Sequence, residues 1–451
     1  MSSIPAQVVA DIRGRLESGT LAPGDRLPST RALAEQLGVS RGSIVTAYEQ
    51  LAGEGILVAG SGGSRIHPAL PIPAFPPRHT VTAACAAPPV EMLRPGAALT
   101  EVLTTSTWRA AWRAAAAEPH AYASPGSPRL RHLLAEHIRL ARAMPLGPDS
   151  IIITGGARDG LRAVLAALSV SGVAQRLGVE DPGFPSLHTV PHAVGWEVET
   201  MPFDDDGPVP PPAVLPGHSA EPSPGAESSP GAARSPSAVL ITPNHQFPNG
   251  TQMPAGRRRQ WVEWRQSMPG ALLIEDDYDS ELRATHPALL ALDPGGTVLL
   301  GSLAKILTPA LGLGYLVVPE RLRDAVATHV MPVSGIAQDA LAHFLEADGL
   351  RRHTARVRRE YKYRRSVFES IFPEGNAMEG GLGATIELSP TAESEVLHRA
   401  RSHGLAVESL AKYWSAAENS GIVVGLGTGS REKLTAALTT LRGIIPQPTR
   451  T

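Results

Sequence analysis

Residues 68–95 read PALPIPAFPPRHTVTAACAAPPVEMLRP, and no other stretch limits so strongly what the chain can become. Proline fixes φ, carries no amide hydrogen and keeps the residue before it out of the helical region. A run this rich in proline can neither continue a helix nor sit inside a sheet. A chain of 451 residues is also too long for one compact core, since single cores stop growing at about 250–300 residues. The stretch therefore reads as an extended linker between two bodies, residues 1–67 before it and 96–445 after it.

Bulk properties exclude several classes. A net charge of −2 argues against a strongly cationic nucleic-acid coat and leaves room for a local DNA-reading patch. The lone Cys85 rules out an internal disulfide framework and fits a reducing cytosol. The start MSSIPAQVVADIRGR has no basic-then-apolar signal pattern, and no run of 18 apolar residues occurs, so a cytoplasmic protein without a membrane partner is expected. No metal site is expected either.

In the first body, LPSTRALAEQLGVSRGSIVTAYEQLAGEGIL (27–57) has the turn chemistry of two successive helices. Ser29 is placed to cap a short helix with Leu33, Ala34 and Leu37 inward, and Gly38 to stop it. Ser40 caps a second helix with Ile44, Ala47, Tyr48 and Leu51 inward. Helix, glycine-containing turn, helix is the helix-turn-helix arrangement. Its second helix would present Ser40, Arg41, Ser43 and Thr46 where base edges and phosphates are met. GEGILVAGSGGSRIH then supplies a hairpin wing with Arg65 near its tip. Six arginines (13, 15, 26, 31, 41, 65) balance six acids (11, 17, 25, 35, 49, 54) in residues 1–67, so the body is not basic overall. The pattern LPSTRALAEQLGVSR with its terminal G-x-G-G-S-R resembles the winged helix-turn-helix of GntR-type bacterial regulators. That resemblance implies that Arg31 and Arg41 bear on double-stranded DNA at a promoter or operator. Val45 stands where some relatives carry a further arginine.

In the second body short apolar runs alternate with helical stretches, the signature of an α/β domain. Strands are expected at 151–154, 239–242, 271–275, 298–301 and 315–318, and residues 204–237 read as a low-complexity insert. IIITGGARDGLRAVLAAL (151–168) is strand, glycine turn, amphipathic helix. The amides of such a helix start suit a phosphate. ALLIEDDYDSEL ends a strand in four acids around a tyrosine, and strand ends of that kind line the crevice of an α/β sheet. In GSLAKIL (301–307), Lys305 is the first of only four lysines among 41 basic residues. Unlike arginine, a desolvated lysine can lose its proton and act as an amine nucleophile. An acid at one strand end, a lysine after another and a phosphate seat at a third suit pyridoxal 5'-phosphate (PLP).

The order EDPGFP (180–185), TPNHQFPNG (242–250), IEDDYDSEL (274–282), GSLAKIL (301–307) and LGYLVVP (313–319) resembles the fold-type I aminotransferase domain of the MocR subfamily, which joins such a domain to a GntR-type head. The resemblance implies a mostly parallel sheet with flanking helices and a smaller C-terminal α+β subdomain, PLP bound as a Schiff base at Lys305, and a homodimer. It further implies that Asp276 pairs with the pyridine nitrogen, that Tyr278 donates to the ring oxygen and that Phe184 stacks on the ring. Ala157, Arg158 and Ser302 fall at phosphate positions, and Asn244, His245 and Asn249 in the loop beneath the cofactor. His245 is read as packing that loop, and Tyr361, Arg364 and Arg365 as part of a solvated helix.

Three departures from the family pattern matter. Gly312 stands where the family has a phosphate-gripping arginine, Ala304 where it has serine, and IVVGLGTG (422–429) lacks the arginine that clamps a substrate carboxylate. Arg158, where glutamine is usual, is placed to reach the phosphate instead. Sustained transamination is therefore not expected. The leading reading is a DNA-binding transcription regulator whose aminotransferase-like domain senses PLP, or an amino-acid or amine effector, through an aldimine at Lys305. An active aminotransferase with an appended head, and a regulator that has lost its cofactor, stay open.

Overall fold

The computed structural model describes residues 3–60, 63–70, 92–211, 235–282, 287–380, 382–415 and 419–446. Most of the expected linker, with Cys85, and most of the expected insert lie outside the described residues. The chain divides into two compact units, residues 1–88 and 89–451.

In the first unit, helices Ile4–Glu17, Thr30–Leu37 and Arg41–Gly53 precede a hairpin of Leu57–Gly60 with Gly63–Ile66. The expected caps are in place. Ser29 accepts the Ala32 amide, Ser40 accepts the Ser43 amide at 3.2 Å, and Gly38 turns the chain at φ 66°. Ile44, Ala47, Tyr48 and Leu51 are buried against Val8, Ile12 and Leu57. The Tyr48 hydroxyl donates to the Pro28 carbonyl at 2.9 Å and ties the turn to the helix. Leu37 departs from expectation: it is 49% exposed. The helix ends there, and Val39, just past the left-handed glycine, packs against the core instead.

The second unit is built on a seven-stranded sheet. Its order is Ile151–Thr154, Gly314–Val317, Thr297–Ser302, Leu272–Asp277, Ala238–Ile241, Arg176–Glu180 and Glu197–Met201. All strands run parallel except Gly314–Val317, which is antiparallel to both neighbours. Successive side chains go to opposite faces: Ile151 and Ile153 join one core, Ile152 the other. Helices cover both faces, and both-face burial explains why the inner strands read as continuous apolar runs. Strands Arg176–Glu180 and Glu197–Met201 escaped the sequence reading because they lie toward one edge and carry charges and a glycine. A smaller antiparallel sheet orders Asn376–Ala377, Gly383–Glu387, Gly421–Gly425 and Glu408–Ser409. Val396 and Ala400 of helix Pro390–Ser402, and Leu434, Leu438 and Leu441 of helix Arg431–Ile444, pack with it in one core. Among the described residues no helix is long and apolar enough to cross a membrane.

Helix Gly349–Ile371 corrects one expectation. Tyr361 is fully buried and its hydroxyl accepts the Leu99 amide at 3.1 Å. Arg364, 2% exposed, donates to the carbonyls of Leu426 (2.9 Å), Thr428 (3.2 Å) and Gly429 (2.6 Å) and to Glu360 (3.0 Å). Only Arg365 of the three lies partly in solvent, paired with Glu369 at 2.7 Å. Leu350, Val357, Tyr361 and Phe368 form the buried stripe of this helix. Arg364 lies beside that stripe and is tolerated there because three carbonyls and a carboxylate satisfy its fork.

Candidate functional site

A cavity of about 340 Å³ lies at the carboxyl ends of five parallel strands. Gly155 and Gly156 follow the first strand, Glu180 ends another, Thr242 follows a third, and Asp276 and Ser302 come from two more. Ligands of α/β sheets are bound at this edge, where loops replace the ladder. Of the residues singled out in sequence, Lys305, Asp276, Tyr278, Phe184, Ala157, Arg158 and Ser302 all line this one cavity, with Gly312 and Ala304.

Lys305 lies just beyond strand Thr297–Ser302 in a part-buried position, its nitrogen 5.7 Å from the centre of the Phe184 ring. It donates to the carbonyl of Gly96, 209 residues earlier in the chain. Burial lowers its pKa, opposed by the charges of Asp276 and Asp279. Gly96 (φ 72°) is needed there: a Cβ would stand 3.2 Å from the lysine nitrogen.

In the strand Leu272–Asp277 the pleat sorts the acids. Glu275 accepts the Leu290 amide at 3.1 Å. Asp277 pairs with Arg142 and accepts Ser280 Oγ at 2.8 Å, outside the cavity. Asp276 alone of the strand's acids lines the cavity. Burial first, then Asp277, Glu180 and Asp279, push its carboxyl up to about 8, partly offset by Lys305. Its Oδ1 is buried with no hydrogen-bond partner among the described residues. Such an orphan acceptor is costly and calls for a donor from a bound molecule.

The Tyr278 hydroxyl donates to the His245 carbonyl at 2.8 Å, and its ring lies parallel to the His245 ring (12°, centres 6.2 Å apart). His245 is fully buried and bonds Asp279 through Nδ1. Asn244 is not brought to the cavity wall. It sits behind it, donating to Asp277 at 3.3 Å and accepting from Arg258 at 3.1 Å. Asn249 donates its amide to Gln246 at 3.3 Å, inside the same loop.

At the other end of the cavity, helix Ala157–Val170 begins directly after Gly155 and Gly156, with no side chain capping it. Gly156 has φ 104°, and a Cβ on Gly314 would stand 2.9 Å from its Cα, so both strands meet the turn at glycines. The Gly155 amide is already taken by Asp159 at 3.0 Å. Ser302 accepts the Ala304 amide at 3.3 Å. Arg158 is exposed at the rim with no carboxylate partner among the described residues, and Gly312 adopts φ 57° with open space where a side chain would start. Arg158 and Lys305 are the only cations among the lining residues. Arg431, the arginine next in sequence after IVVGLGTG, is elsewhere, paired with Glu360 at 2.6 Å and 4.0 Å above the Tyr363 ring.

Sequence reasoning missed Glu180, Thr242 and Thr308 on the cavity wall. Glu180 accepts the Thr242 amide at 2.8 Å, and burial pushes its carboxyl up to about 7. The motif EDPGFP (180–185) thus brings both its first and its fifth residue to the cavity, Glu180 and Phe184.

In the first unit Arg31 and Arg41 are exposed at the starts of successive helices, with no side-chain hydrogen-bond partner among the described residues. Ser40 is exposed, and its hydroxyl meets that of half-buried Ser43 at 2.8 Å. Arg65 is not at the hairpin tip. It pairs with Val58 in the body of the hairpin, its backbone bridges Arg26, and it is half-buried.

Residues 5–65 match the model of the bacterial regulatory proteins of the gntR family. Over 96% of its length the chain is 40% identical to the HTH-type pyridoxine biosynthesis transcriptional regulator PdxR of Corynebacterium glutamicum, covering 94% of that protein. It is 27% identical to the probable rhizopine catabolism regulatory protein MocR of Rhizobium meliloti, over 93% of this chain and 89% of that one. An archaeal alanine:glyoxylate aminotransferase structure superposes with TM-score 0.66 at 16% identity, covering 79% of this chain and 90% of its own. The last likeness establishes the aminotransferase fold alone.

Proposed function

We infer that this chain, which belongs to the MocR-type GntR regulators and is a DNA-binding transcription regulator, takes PLP as its signal in the cavity around Lys305. One observation carries the cofactor reading: Asp276 lines the lysine's cavity with a buried carboxyl whose Oδ1 has no hydrogen-bond partner among the described residues. The donor set fits the group. PLP supplies an aldehyde for an amine, a ring nitrogen that an acid keeps protonated, and a phosphate dianion. Lys305 would hold the aldehyde carbon, its lowered pKa favouring the free amine. Asp276 would ionise on receiving the ring N–H, a charge-assisted bond that overcomes its desolvation. Phe184 would cover one ring face. Tyr278 would turn its hydroxyl proton from the His245 carbonyl to the ring oxygen. The Gly156–Arg158 amides, Ser302 and Arg158 would receive the phosphate.

PLP itself, not an amino acid, is the favoured effector. An amino acid adds a carboxylate, and among the lining residues the only cations are Lys305 and Arg158, both already assigned. The likeness to a pyridoxine biosynthesis regulator points the same way. Holding PLP at Lys305 would cost the strap at Gly96 its ammonium donor, giving the two states of residues 92–101 different affinities, the condition for a population shift. The head would read its operator through Arg31, Ser40, Arg41, Ser43 and Arg65, two heads per homodimer.

Borohydride treatment of protein incubated with PLP should fix a mass adduct on the Lys305 peptide, and PLP should change operator affinity. Colourless, unmodified protein in excess PLP sinks the cofactor reading. The Lys305–Asp276–Tyr278 set keeps the enzyme reading alive, and steady turnover of an amino acid with an oxo-acid would establish it.

A further inference from the structure

Helix Gly349–Ile371 carries, beside its buried stripe, a strongly cationic outer face. Eight of its 23 residues are arginine or lysine, against Glu360 and Glu369. Arg351 is matched by Asp348 (2.8 Å), Arg365 by Glu369 (2.7 Å) and buried Arg364 by Glu360 (3.0 Å), while Arg358 donates to the Glu281 carbonyl at 2.6 Å. Arg356, Arg359 and Lys362 have no carboxylate partner among the described residues, and Arg352 meets Asp348, the partner of Arg351, only through charge and without an ion pair. Arg352 and Arg356 reach only backbone carbonyls of their own helix end. Arg352, Arg359 and Lys362 are exposed and Arg356 half-buried.

At 3.6 residues per turn, Arg352, Arg356 and Arg359 fall within a strip of about 60°, with Lys362 about 60° further round and about 15 Å along the axis from Arg352. A face that merely keeps a helix soluble intersperses both signs, because like charges three or four residues apart destabilise it. Here the spacings 352/356, 356/359 and 359/362 are all like-charged. The first unit, by contrast, offers little attraction to a polyanion, its six arginines being balanced by six acids in residues 1–67. Sequence-independent affinity for a duplex comes from cations that displace counterions, and further cations outside a head of zero net charge would add to it.

We propose that Arg352, Arg356, Arg359 and Lys362 form a second DNA-contacting surface, on the aminotransferase-like unit, that takes the phosphate backbone of duplex DNA without reading bases. It rests on the DNA-binding family and not on the cofactor reading.

The test uses the full chain and a random-sequence duplex, with binding measured against salt concentration. Arg359→Gln with Lys362→Gln should flatten the slope of log affinity against log salt by about two per chain and weaken binding at low salt about tenfold or more. Arg359→Glu with Lys362→Glu should weaken it further. Arg113→Gln with Arg401→Gln removes two other exposed cations and should leave the slope unchanged. Equal slopes in wild type and the helix variant overturn the proposal, as does an equal loss in both pairs, which would mark a net-charge effect. A change of oligomeric state at unchanged slope would reassign the face to contact between copies. Melting temperatures within a degree or two of wild type, expected at exposed sites, separate lost contact from lost fold.

Discussion

The two ends of the cavity are built differently. At one end Asp276, Lys305, Tyr278 and Phe184 converge from two strand ends and a helix cap, Asp276 buried and the other three half-buried, with an acceptor left open. At the other end a helix start and two glycines offer backbone amides, one already spent on Asp159, and the only arginine is exposed. Buried charges act at low dielectric and exposed ones are screened, so similar groups are worth far more at the first end. The contrast suggests a site that holds its ligand through the ring and the covalent bond, with the phosphate end tuned for release. A sensor must let its signal go.

The comparison breaks most sharply at Lys305. Lys305→Ala should abolish the borohydride-stable adduct and the visible absorbance completely, since arginine dominates the chain and none of it can replace an amine. Retained colour would show that the covalent bond lies elsewhere.

Asp276→Asn should weaken PLP about ten- to hundredfold, the worth of one charge-assisted hydrogen bond of about 1.5–3 kcal/mol. It also predicts a pH effect. Asp276 is raised from 3.8 to about 8 in the folded chain, so its protonated form is the one the fold favours. Its contribution to stability is full below the unfolded value and is lost as pH climbs through about 8. Glu180 and Glu275, each raised to about 7, act in the same direction. The cofactor-free protein should therefore melt at progressively lower temperature as pH rises from about 5 to about 8, and less steeply in Asp276→Asn. A melting temperature flat across that range contradicts the burial of these acids.

The same contrast explains what the sequence made legible. Features set by neighbours along the chain could be read: Ser29, Gly38 and Ser40 capping their helices, the glycine turn after Thr154, and the pleat bringing one strand acid to the cavity. Features set by distant packing could not. Gly96 meets Lys305 across 209 residues, and nothing local marks it. Arg364 looks like a surface arginine until the carbonyls of Leu426, Thr428 and Gly429, more than 60 positions away, are folded onto it. Asn244 was assigned by its motif, yet its side chain turns toward Asp277 and Arg258.

A smaller effect is expected at the open end. Arg158→Ala should weaken PLP about tenfold or less, with the loss shrinking as salt rises, because an exposed guanidinium is screened. A hundredfold, salt-independent loss would mean that Arg158 folds over the phosphate once it is bound, and the two ends would then be equivalent.

Gly312→Arg should have the smallest effect. Restoring an arginine where the family carries one looks as if it should tighten binding strongly, and no atom lies within 4 Å of the Cβ it would introduce. The backbone opposes it. Gly312 ends the short turn Pro309–Leu311 at φ 57°, a left-handed conformation that costs a residue with a side chain roughly 1–2 kcal/mol. A charge-assisted contact returns about 1.5–3 kcal/mol. The difference leaves about a fourfold gain in PLP affinity at mid-range and about thirtyfold at most, with a lower melting temperature in the cofactor-free protein, where the strain has nothing to offset it. A gain of hundredfold or more would show that the turn relaxes and that the missing arginine alone separates the two ends. No gain, together with a damaging Arg158→Ala, would show that Arg158 already meets the phosphate from the helix start.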